Sequence, residues 1–225
     1  TLVAFSIVAD GHFLRAEAAG LYDERAAHAE QAVALNPLNE YYRERQAALH
    51  VEAFIMLSGQ AAEAAAAGGD ESAIRAEAET VFGRAQAAVL GAIDNAPMQV
   101  ENHLHLIRLY NAAGRHIGAQ YYTRAVAAAG DAIALSPNAP EIRVQYAIAL
   151  KNTGDDAEAE RQLLAAAVLD PAYPDPLVLL GELYRLKGDP ATALGYYERV
   201  RAIDPAYPGI DALIEQMRAG STAPE

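Results

Sequence analysis

One five-residue segment, Asp-Pro-Ala-Tyr-Pro, occurs twice in this chain of 225 residues. The two copies begin at Asp170 and Asp204, an offset of 204 − 170 = 34. A Gly-Asp pair that begins at Gly154 recurs at Gly188, with the same offset. A fixed period of this length is typical of chains built from copies of one supersecondary unit, in which equivalent residues occupy equivalent places. The sequence therefore predicts a repeat architecture.

The composition indicates that the repeated unit is helical. Hydrophobic residues make up 52% of the chain, but aromatic residues make up only 7% and tryptophan is absent. Alanine supplies much of the apolar total, as in the runs 64–67 and 127–129. Alanine has the highest helix propensity, and no stretch shows the period-two alternation of β-branched residues that is typical of strands. An all-α fold follows.

Residues of defined type recur at fixed places within this period. In the last full unit these are Leu177, Leu180, Gly181, Tyr184, Ala193, Tyr197 and Pro205. The same offsets one period earlier carry Arg143, Tyr146, Ala147, Leu150, Ala159, Leu163 and Pro171. Over residues 138–205 the chain resembles the tetratricopeptide repeat family, although Leu177 stands where that family usually has tryptophan. The resemblance implies a right-handed α-solenoid of helix–turn–helix hairpins.

The exit prolines and turn glycines divide the chain into five hairpins within one domain, residues 1–219. The second hairpin is overlong, because the offset from Pro37 to Pro97 is 97 − 37 = 60. We expect it to contain two elongated helices, 38–58 and 71–95, joined by a Gly- and Ala-rich stretch, 58–70. The third hairpin has six residues more than the period, which we assign to a longer second helix. The predicted elements are hairpins 1–37, 38–97, 98–137, 138–171 and 172–205, a capping helix 208–219 and a disordered tail 220–225.

Charge and residue usage exclude several classes of function. The formal net charge is −13 and no basic stripe is present, which argues against nucleic acid and against adsorption to an anionic bilayer. The absence of cysteine excludes disulfides and thiolate metal sites. The six histidines lack the spacing of a zinc hydrolase, and no phosphate loop or nucleophile motif occurs. We therefore predict no catalytic residue, no cofactor and no metal, and a protein that works by binding.

A solenoid of this kind has a concave groove lined by the first helix of each hairpin. The repeat register places a mixture of charged and apolar side chains there, which suits a peptide, a protein segment or a glycan-linked substrate. The predicted groove residues are Glu101, His105, Arg108, Asn111, Glu141, Val144, Gln145, Ile148, Lys151, Asp175, Val178, Glu182 and Arg185.

The segment from Thr1 to Ala9 is strongly apolar but has only nine residues, whereas a spanning helix needs about 20. Two interpretations are open. The segment is the first core-facing helix of the array, or it is the end of a membrane helix that precedes this sequence. Both can hold at once.

The order of motifs also resembles the C-terminal repeat region of bacterial O-antigen ligase/polymerase-type membrane proteins. The residues that carry this resemblance are Ala9, Asp10 and Phe13, the Leu-Asn-Pro exit at 35–37 and the Tyr-Tyr-Arg helix start at 41–43. It implies a membrane-anchored protein with this domain outside the cytoplasm, and transfer chemistry in a membrane part beyond this sequence. The alternatives are a free-standing cytoplasmic tetratricopeptide adaptor and, more remotely, a stand-alone enzyme.

Overall fold

The computed structural model describes residues 2–18 and 21–221, with side chains described for 8–16 and 21–219. Within those ranges the chain forms eleven helices and no strand, as the composition predicts. It divides into two compact units, unit 1 (Thr1–Leu135) and unit 2 (Ser136–Glu225). Unit 1 contains α1 Leu2–Ala18, α2 Tyr22–Leu35, α3 Glu40–Ala66, α4 Ser72–Asn95, α5 Val100–His116 and α6 Gln120–Leu135. Unit 2 contains α7 Pro140–Thr153, α8 Asp156–Leu169, α9 Asp175–Leu186, α10 Pro190–Ile203 and α11 Ile210–Ser221.

The two Asp-Pro-Ala-Tyr-Pro segments of unit 2 form the same turn. Asp170 and Asp204 are the C-caps of α8 and α10. Each carboxylate accepts a hydrogen bond from the backbone N–H two residues later, at 3.0 Å in both copies. The proline between them has no N–H and cannot continue the helix. The predicted equivalence of these two exits is confirmed.

The Gly-Asp pairs of unit 2 form the tight turn within each hairpin. Gly154 and Gly188 have left-handed backbone conformations, with φ of 89° and 78°. Asp155 and Asp189 then act as N-caps, because their carboxylates accept from the backbone N–H three residues later at 3.1 and 3.0 Å. Side-chain caps of this kind satisfy helix N–H groups that have no intrahelical partner.

Each hairpin of unit 2 is closed by one small residue and one large residue that face each other. In the α9–α10 hairpin these are Gly181 and Tyr197, and the tyrosine is only 1% exposed. A Cβ atom added at Gly181 would lie 2.8 Å from Cδ1 and Cζ of Tyr197 and still closer to Cε1. In the α7–α8 hairpin the equivalent residues are Ala147 and Leu163, both buried. A larger side chain on the second helix is therefore matched by a smaller one on the first.

The overlong hairpin of unit 1 has a longer first helix and a shorter connection than predicted. Helix α3 has 27 residues and ends at Ala66, so the prediction of a connection over 58–70 is wrong. Only residues 67–71 separate α3 from α4, which has 24 residues. The alanines of 61–67 favour the helix strongly enough to carry it past Gly59, whose Cα faces open space. At 1.5 Å per residue α3 is about 40 Å long.

The third hairpin has its extra residues in both helices rather than in the second alone. Helix α5 has 17 residues and α6 has 16, whereas α7 and α8 have 14 each. Gly114 lies inside α5, where an added Cβ would be 2.7 Å from the ring of Tyr122. The glycine thus allows close approach of the two helices.

The first hairpin packs on the start of α3. Ala9 of α1, Ala32 of α2 and Tyr42 of α3 form one buried cluster, with Phe13 against it. Val8 and Leu14 of α1 are instead 50% and 67% exposed. No helix within residues 2–18 and 21–221 is long and apolar enough to cross a membrane. At the other end α11 continues to Ser221, two residues into the predicted tail, and residues 222–225 lie outside the described part of the chain.

Candidate functional site

The predicted groove residues of unit 2 lie on its two neighbouring first helices, α7 and α9. We call the following side chains, all at least partly exposed, the unit 2 surface: Glu141, Gln145, Ile148, Lys151, Asp175, Val178, Glu182 and Arg185. The two helices are joined there by an ion pair, in which the Lys151 ammonium donates to Glu182 Oε1 at 2.9 Å. Ile148 and Val178 are partly exposed apolar side chains of the same surface.

Two predicted groove residues are buried and present no surface to a ligand. Val144 of α7 is 2% exposed and Asn111 of α5 is 5% exposed. The prediction assumed that one face of each first helix stays open. The buried positions of α7, from Ile142 to Leu150, instead cover more than half of the helix circumference at about 100° per residue. The same is true of α5. Val144 and Asn111 therefore belong to the core.

The predicted groove residues of unit 1 lie on α5, and one of them contacts α3. His105 Nε2 lies 3.1 Å from Glu44 Oε1, with the two side chains 12% and 20% exposed. The other ring nitrogen of His105 is buried and has no hydrogen-bond partner among the described residues. Arg108 is partly exposed on the same helix and Glu101 is exposed. We call Glu44, Glu101, His105 and Arg108 the unit 1 surface.

At one end of the unit 2 surface the carboxylate of Asp175 is engaged by the scaffold. The Tyr207 hydroxyl, from the turn after α10, donates to Asp175 Oδ1 at 3.0 Å. Burial raises the pKa of Tyr207 to about 12, and the hydrogen bond to Asp175 adds to the shift. Burial and the same carboxylate also raise the pKa of Tyr173 well above its ordinary value. Asp175 therefore holds two repeat turns in place and is a poor candidate for direct ligand contact.

Arg185 belongs to the same surface and lies near Tyr197. Burial raises the pKa of the Tyr197 hydroxyl, and the neighbouring Arg185 guanidinium partly opposes that shift. The Arg185 guanidinium therefore lies beside the Tyr197 hydroxyl while its side chain stays partly exposed. It can offer a positive charge to a ligand without leaving this position.

The Lys151–Glu182 pair adds little to the stability of the fold. Its side chains are 27% and 40% exposed, and exposed pairs are worth about 0–1 kcal/mol. A ligand that exchanged contacts with these two charges would therefore cost the fold little. No group of three or more metal-ligating side chains occurs among the described residues. The arrangement is suited to polar and apolar contacts with an extended segment.

Several solved structures share this architecture. The thermophilic TPR protein TTC0263 of Thermus thermophilus aligns over 97% of this chain and 100% of its own, with 17% identity and a TM-score of 0.66. PilW, a widely conserved type IV pilus biogenesis factor, aligns over 97% and 91%, with 15% identity and a TM-score of 0.63. The TPR protein YrrB aligns over 97% and 92%, with 16% identity and a TM-score of 0.59.

The chain has the tetratricopeptide repeat fold. The identities are low, so these likenesses establish the fold alone. No protein-family model matches the sequence, and no curated protein matches it either.

Glu44 is the surface residue that the tetratricopeptide register missed. The groove positions are assigned by counting upstream in steps of the repeat from residues 138–205. The extra residues of the second hairpin interrupt this count. Counting from the exit prolines would have found it, because Glu44 follows Pro37 by seven residues just as the partly exposed Val178 follows Pro171. The first turn after a tetratricopeptide exit keeps its spacing even where the helices beyond it are longer.

Proposed function

We propose that this chain is a non-catalytic scaffold that binds a peptide or an extended protein segment on the unit 2 surface. The observation that carries the proposal is the Lys151–Glu182 pair, 2.9 Å long, which joins two first helices on a surface that also exposes Ile148 and Val178. Paired charges of both signs can hydrogen-bond a backbone or polar side chains, and the two apolar residues can cover alternate side chains of an extended segment.

The similar solved structures support the proposal at the level of the fold. YrrB is described as a TPR protein with an unusual peptide-binding site. A stack of hairpins places side chains from successive first helices side by side, and such extended surfaces are the usual binding surfaces of repeat proteins. The present chain has the same kind of stack in unit 2.

The titratable groups of the described residues support a non-catalytic role. Those with the largest pKa shifts, such as Tyr207 and His50, are hydrogen-bonded to other parts of the scaffold. A catalytic acid or base must instead reach a substrate proton. We expect the purified chain to give no turnover in a panel of glycosidase and glycan-ligase assays. Turnover that a single substitution abolishes would contradict this.

The test of the binding surface is a selection from a random peptide library displayed on phage, with the full chain immobilised. Selected peptides are then measured by fluorescence anisotropy against Val178→Glu. A carboxylate at this position adds charge to the apolar part of the surface and should weaken binding at least tenfold. The double exchange Lys151→Glu with Glu182→Lys should change which peptides bind, because it reverses the order of the charges.

The matched control is Val168→Glu. Val168 lies on α8 and is 79% exposed, so the same chemical change is made on a second helix of the same unit. Both variants should keep the circular dichroism of the parent. Equal loss of binding in both variants, or no selected peptide that distinguishes them, would refute the unit 2 surface as the site.

We further propose that the scaffold is attached to a membrane protein of the O-antigen ligase/polymerase type, on its extracytoplasmic side, and receives glycan-linked substrates or partner proteins there. Support comes from the motif residues of that resemblance, which contact one another. The Tyr42 hydroxyl donates to Asp10, and the ring of Phe13 lies 5.1 and 5.2 Å from those of Tyr41 and Tyr42. Motifs from α1 and α3, which are well separated in the sequence, thus form one cluster at the start of the chain.

The gene sequence upstream of Thr1 tests this context. A polytopic membrane protein upstream would agree with it, and a tagged full-length protein should then place the repeats outside the cytoplasm in a protease-accessibility assay. A start codon directly before Thr1 would instead favour a free-standing cytoplasmic adaptor. Neither outcome alters the peptide-binding test, which uses the repeats themselves.

A further inference from the structure

Unit 1 contains a cavity of about 300 Å³ at the end of the overlong hairpin, where α3 and α4 meet the last turn of α5. The cavity follows from unequal helix lengths. Helix α3 has 27 residues, whereas α5 has 17 and ends at His116. The last turns of α3 and the first turns of α4 therefore extend beyond the helix that packs on them. None of its lining residues belongs to the unit 1 surface or to the unit 2 surface.

The floor of the cavity is apolar and consists of one phenylalanine and several alanines. Phe54 is fully buried, and Ala61 and Ala78 are 6% and 4% exposed. Ser58 also lines the cavity and is 3% exposed, but its hydroxyl oxygen has no hydrogen-bond partner among the described residues. Buried polar groups are nearly always hydrogen-bonded, and this hydroxyl is available to bond a polar group that enters the cavity.

The rim of the cavity carries more positive than negative charge. Arg75, Arg115 and His116 line it together with a single carboxylate, Glu79. In the chain as a whole, acidic residues outnumber lysine and arginine by 30 to 17, so two guanidinium groups on one cavity reverse the local balance. Burial lowers the pKa of His116, and the nearby Arg115 and Arg75 lower it further. The guanidinium groups of Arg115 and Arg75 therefore both lie near the His116 ring.

One of these guanidinium groups has a competing partner and the other has none. Arg75 lies 3.3 Å from Glu71, in an exposed pair of the kind that contributes little. Arg115 has no carboxylate partner among the described residues. The site thus has one arginine ready to receive a carboxylate and a second that can turn toward it.

We propose that this cavity binds a monocarboxylate with a short apolar body, held between Arg115 and Arg75 with its apolar part on the alanine and phenylalanine floor. Arginine recognises carboxylates through two parallel hydrogen bonds, and the floor removes the apolar part from water. A volume of about 300 Å³ is at the lower limit for ligand pockets and fits a group of one or two residues in size. Inorganic phosphate would leave the apolar floor uncovered.

Two sources share this chemistry, namely the C-terminal residue of a peptide and a free organic acid. The probes that separate them are N-acetyl-leucine and 4-methylpentanoate, because only the first carries the amide of a peptide. N-acetyl-leucinamide is the neutral control, and inorganic phosphate tests whether any anion suffices. Each is titrated into the isotope-labelled full chain, and the backbone amides of 54–62 and the side-chain N–H groups of arginine are followed by NMR.

We expect at least one of the two acids to bind with a Kd of about 1 mM, as is usual for a ligand of so few atoms. The amide should bind at least tenfold more weakly. Arg115→Gln should weaken binding of the acid about tenfold, and Glu79→Gln should strengthen it about twofold to fivefold, because it removes the opposing charge. The control Arg199→Gln, in unit 2, should leave the Kd unchanged.

Ala62→Phe tests whether the cavity itself is needed. Ala62 lines the cavity and is exposed, so the larger side chain fills the space without changing any charge. It should abolish binding while the circular dichroism stays that of the parent. The proposal is overturned if neither acid shifts these resonances at about 10 mM, ten times the expected Kd, if the amide or phosphate shifts them equally, or if Ala62→Phe still binds. Because these residues lie outside the unit 2 surface, failure here does not affect the proposed peptide site.

Discussion

Replacing one glycine in unit 2 should test the close approach of its helices. Gly181 of α9 faces the buried ring of Tyr197, and a Cβ there would lie 2.8 Å from two ring atoms. Gly195 of α10, in the same hairpin, has no atom within 4 Å of an added Cβ. Both positions are inside helices, so Gly→Ala should gain the same helix propensity at both, about 1 kcal/mol.

The difference between the two variants therefore isolates the contact. Gly195→Ala should stabilise the chain by about 1 kcal/mol. Gly181→Ala gains the same amount but forces Tyr197 out of its place, and overpacking costs about 1–3 kcal/mol. The ring cannot swing into solvent, since it is only 1% exposed. We expect Gly181→Ala to be less stable than Gly195→Ala by about 1–3 kcal/mol.

The neighbouring hairpin supplies a rescue. One period upstream, Ala147 is equivalent to Gly181 and Leu163 is equivalent to Tyr197. That hairpin therefore has a larger residue on its first helix and a smaller one on its second. In the background Tyr197→Leu the ring is gone and a cavity remains, which the new methyl group partly fills. Gly181→Ala should then stabilise by about 1 kcal/mol, whereas in the parent its net effect is neutral to destabilising by about 2 kcal/mol.

The assay is thermal and urea unfolding followed by circular dichroism in the far-ultraviolet band of the α-helix. For a chain of this length 1 kcal/mol corresponds to a change of about 2–4 °C in Tm. The reasoning is refuted if Gly181→Ala raises Tm as much as Gly195→Ala. It is also refuted if Gly181→Ala is no more stabilising in the Tyr197→Leu background than in the parent.

Two further predictions concern hydrogen bonds and titration. Burial and Arg84 lower the pKa of His50 from 6.5 to about 4. The unfolded chain therefore takes up a proton that the folded chain does not, and stability should fall by about 3 kcal/mol as the pH falls from 6.5 to about 4. His50→Gln should remove that part of the pH dependence in urea titrations, whereas Tyr22→Phe, which removes only the 2.8 Å hydrogen bond to His50, should keep it. Tyr207→Phe should lower the stability by about 1–2 kcal/mol in the same assay, because the bond to a carboxylate is lost. Tyr41→Phe, at a 57% exposed ring, should change it by much less, and equal losses would contradict the assigned role of the Tyr207 hydroxyl.

The sequence predicts the hairpins of unit 2 well because their turns depend on local chemistry. Gly154 needs its left-handed conformation, Asp155 caps the helix that follows, and Pro171 stops the next one. Each of these effects acts within three or four residues, so it can be recognised from residue type and spacing. Because the period is 34 residues, the same turn, cap and exit are then predicted for the next hairpin.

The rest depends on contacts between residues far apart in sequence. The course of α3 past Gly59 is decided by the alanines after it, against the usual effect of glycine. The burial of Val144 depends on what covers α7, which the repeat register does not contain. The contact of Glu44 with His105 joins residues separated by 61 positions. The cavity beside Arg115 exists only because two neighbouring helices differ in length.

The identity of the two unit 2 exits has a consequence for how such a chain lengthens. The segment 171–204 begins within one Asp-Pro turn and ends at the start of the other, and both turns have the same hydrogen bonds. After a tandem duplication of this segment, the two copies would be joined through the same Asp-Pro turn, so no new loop would be needed. Insertion or deletion of these 34 residues would therefore change the length of the protein by one whole hairpin and leave both turns intact.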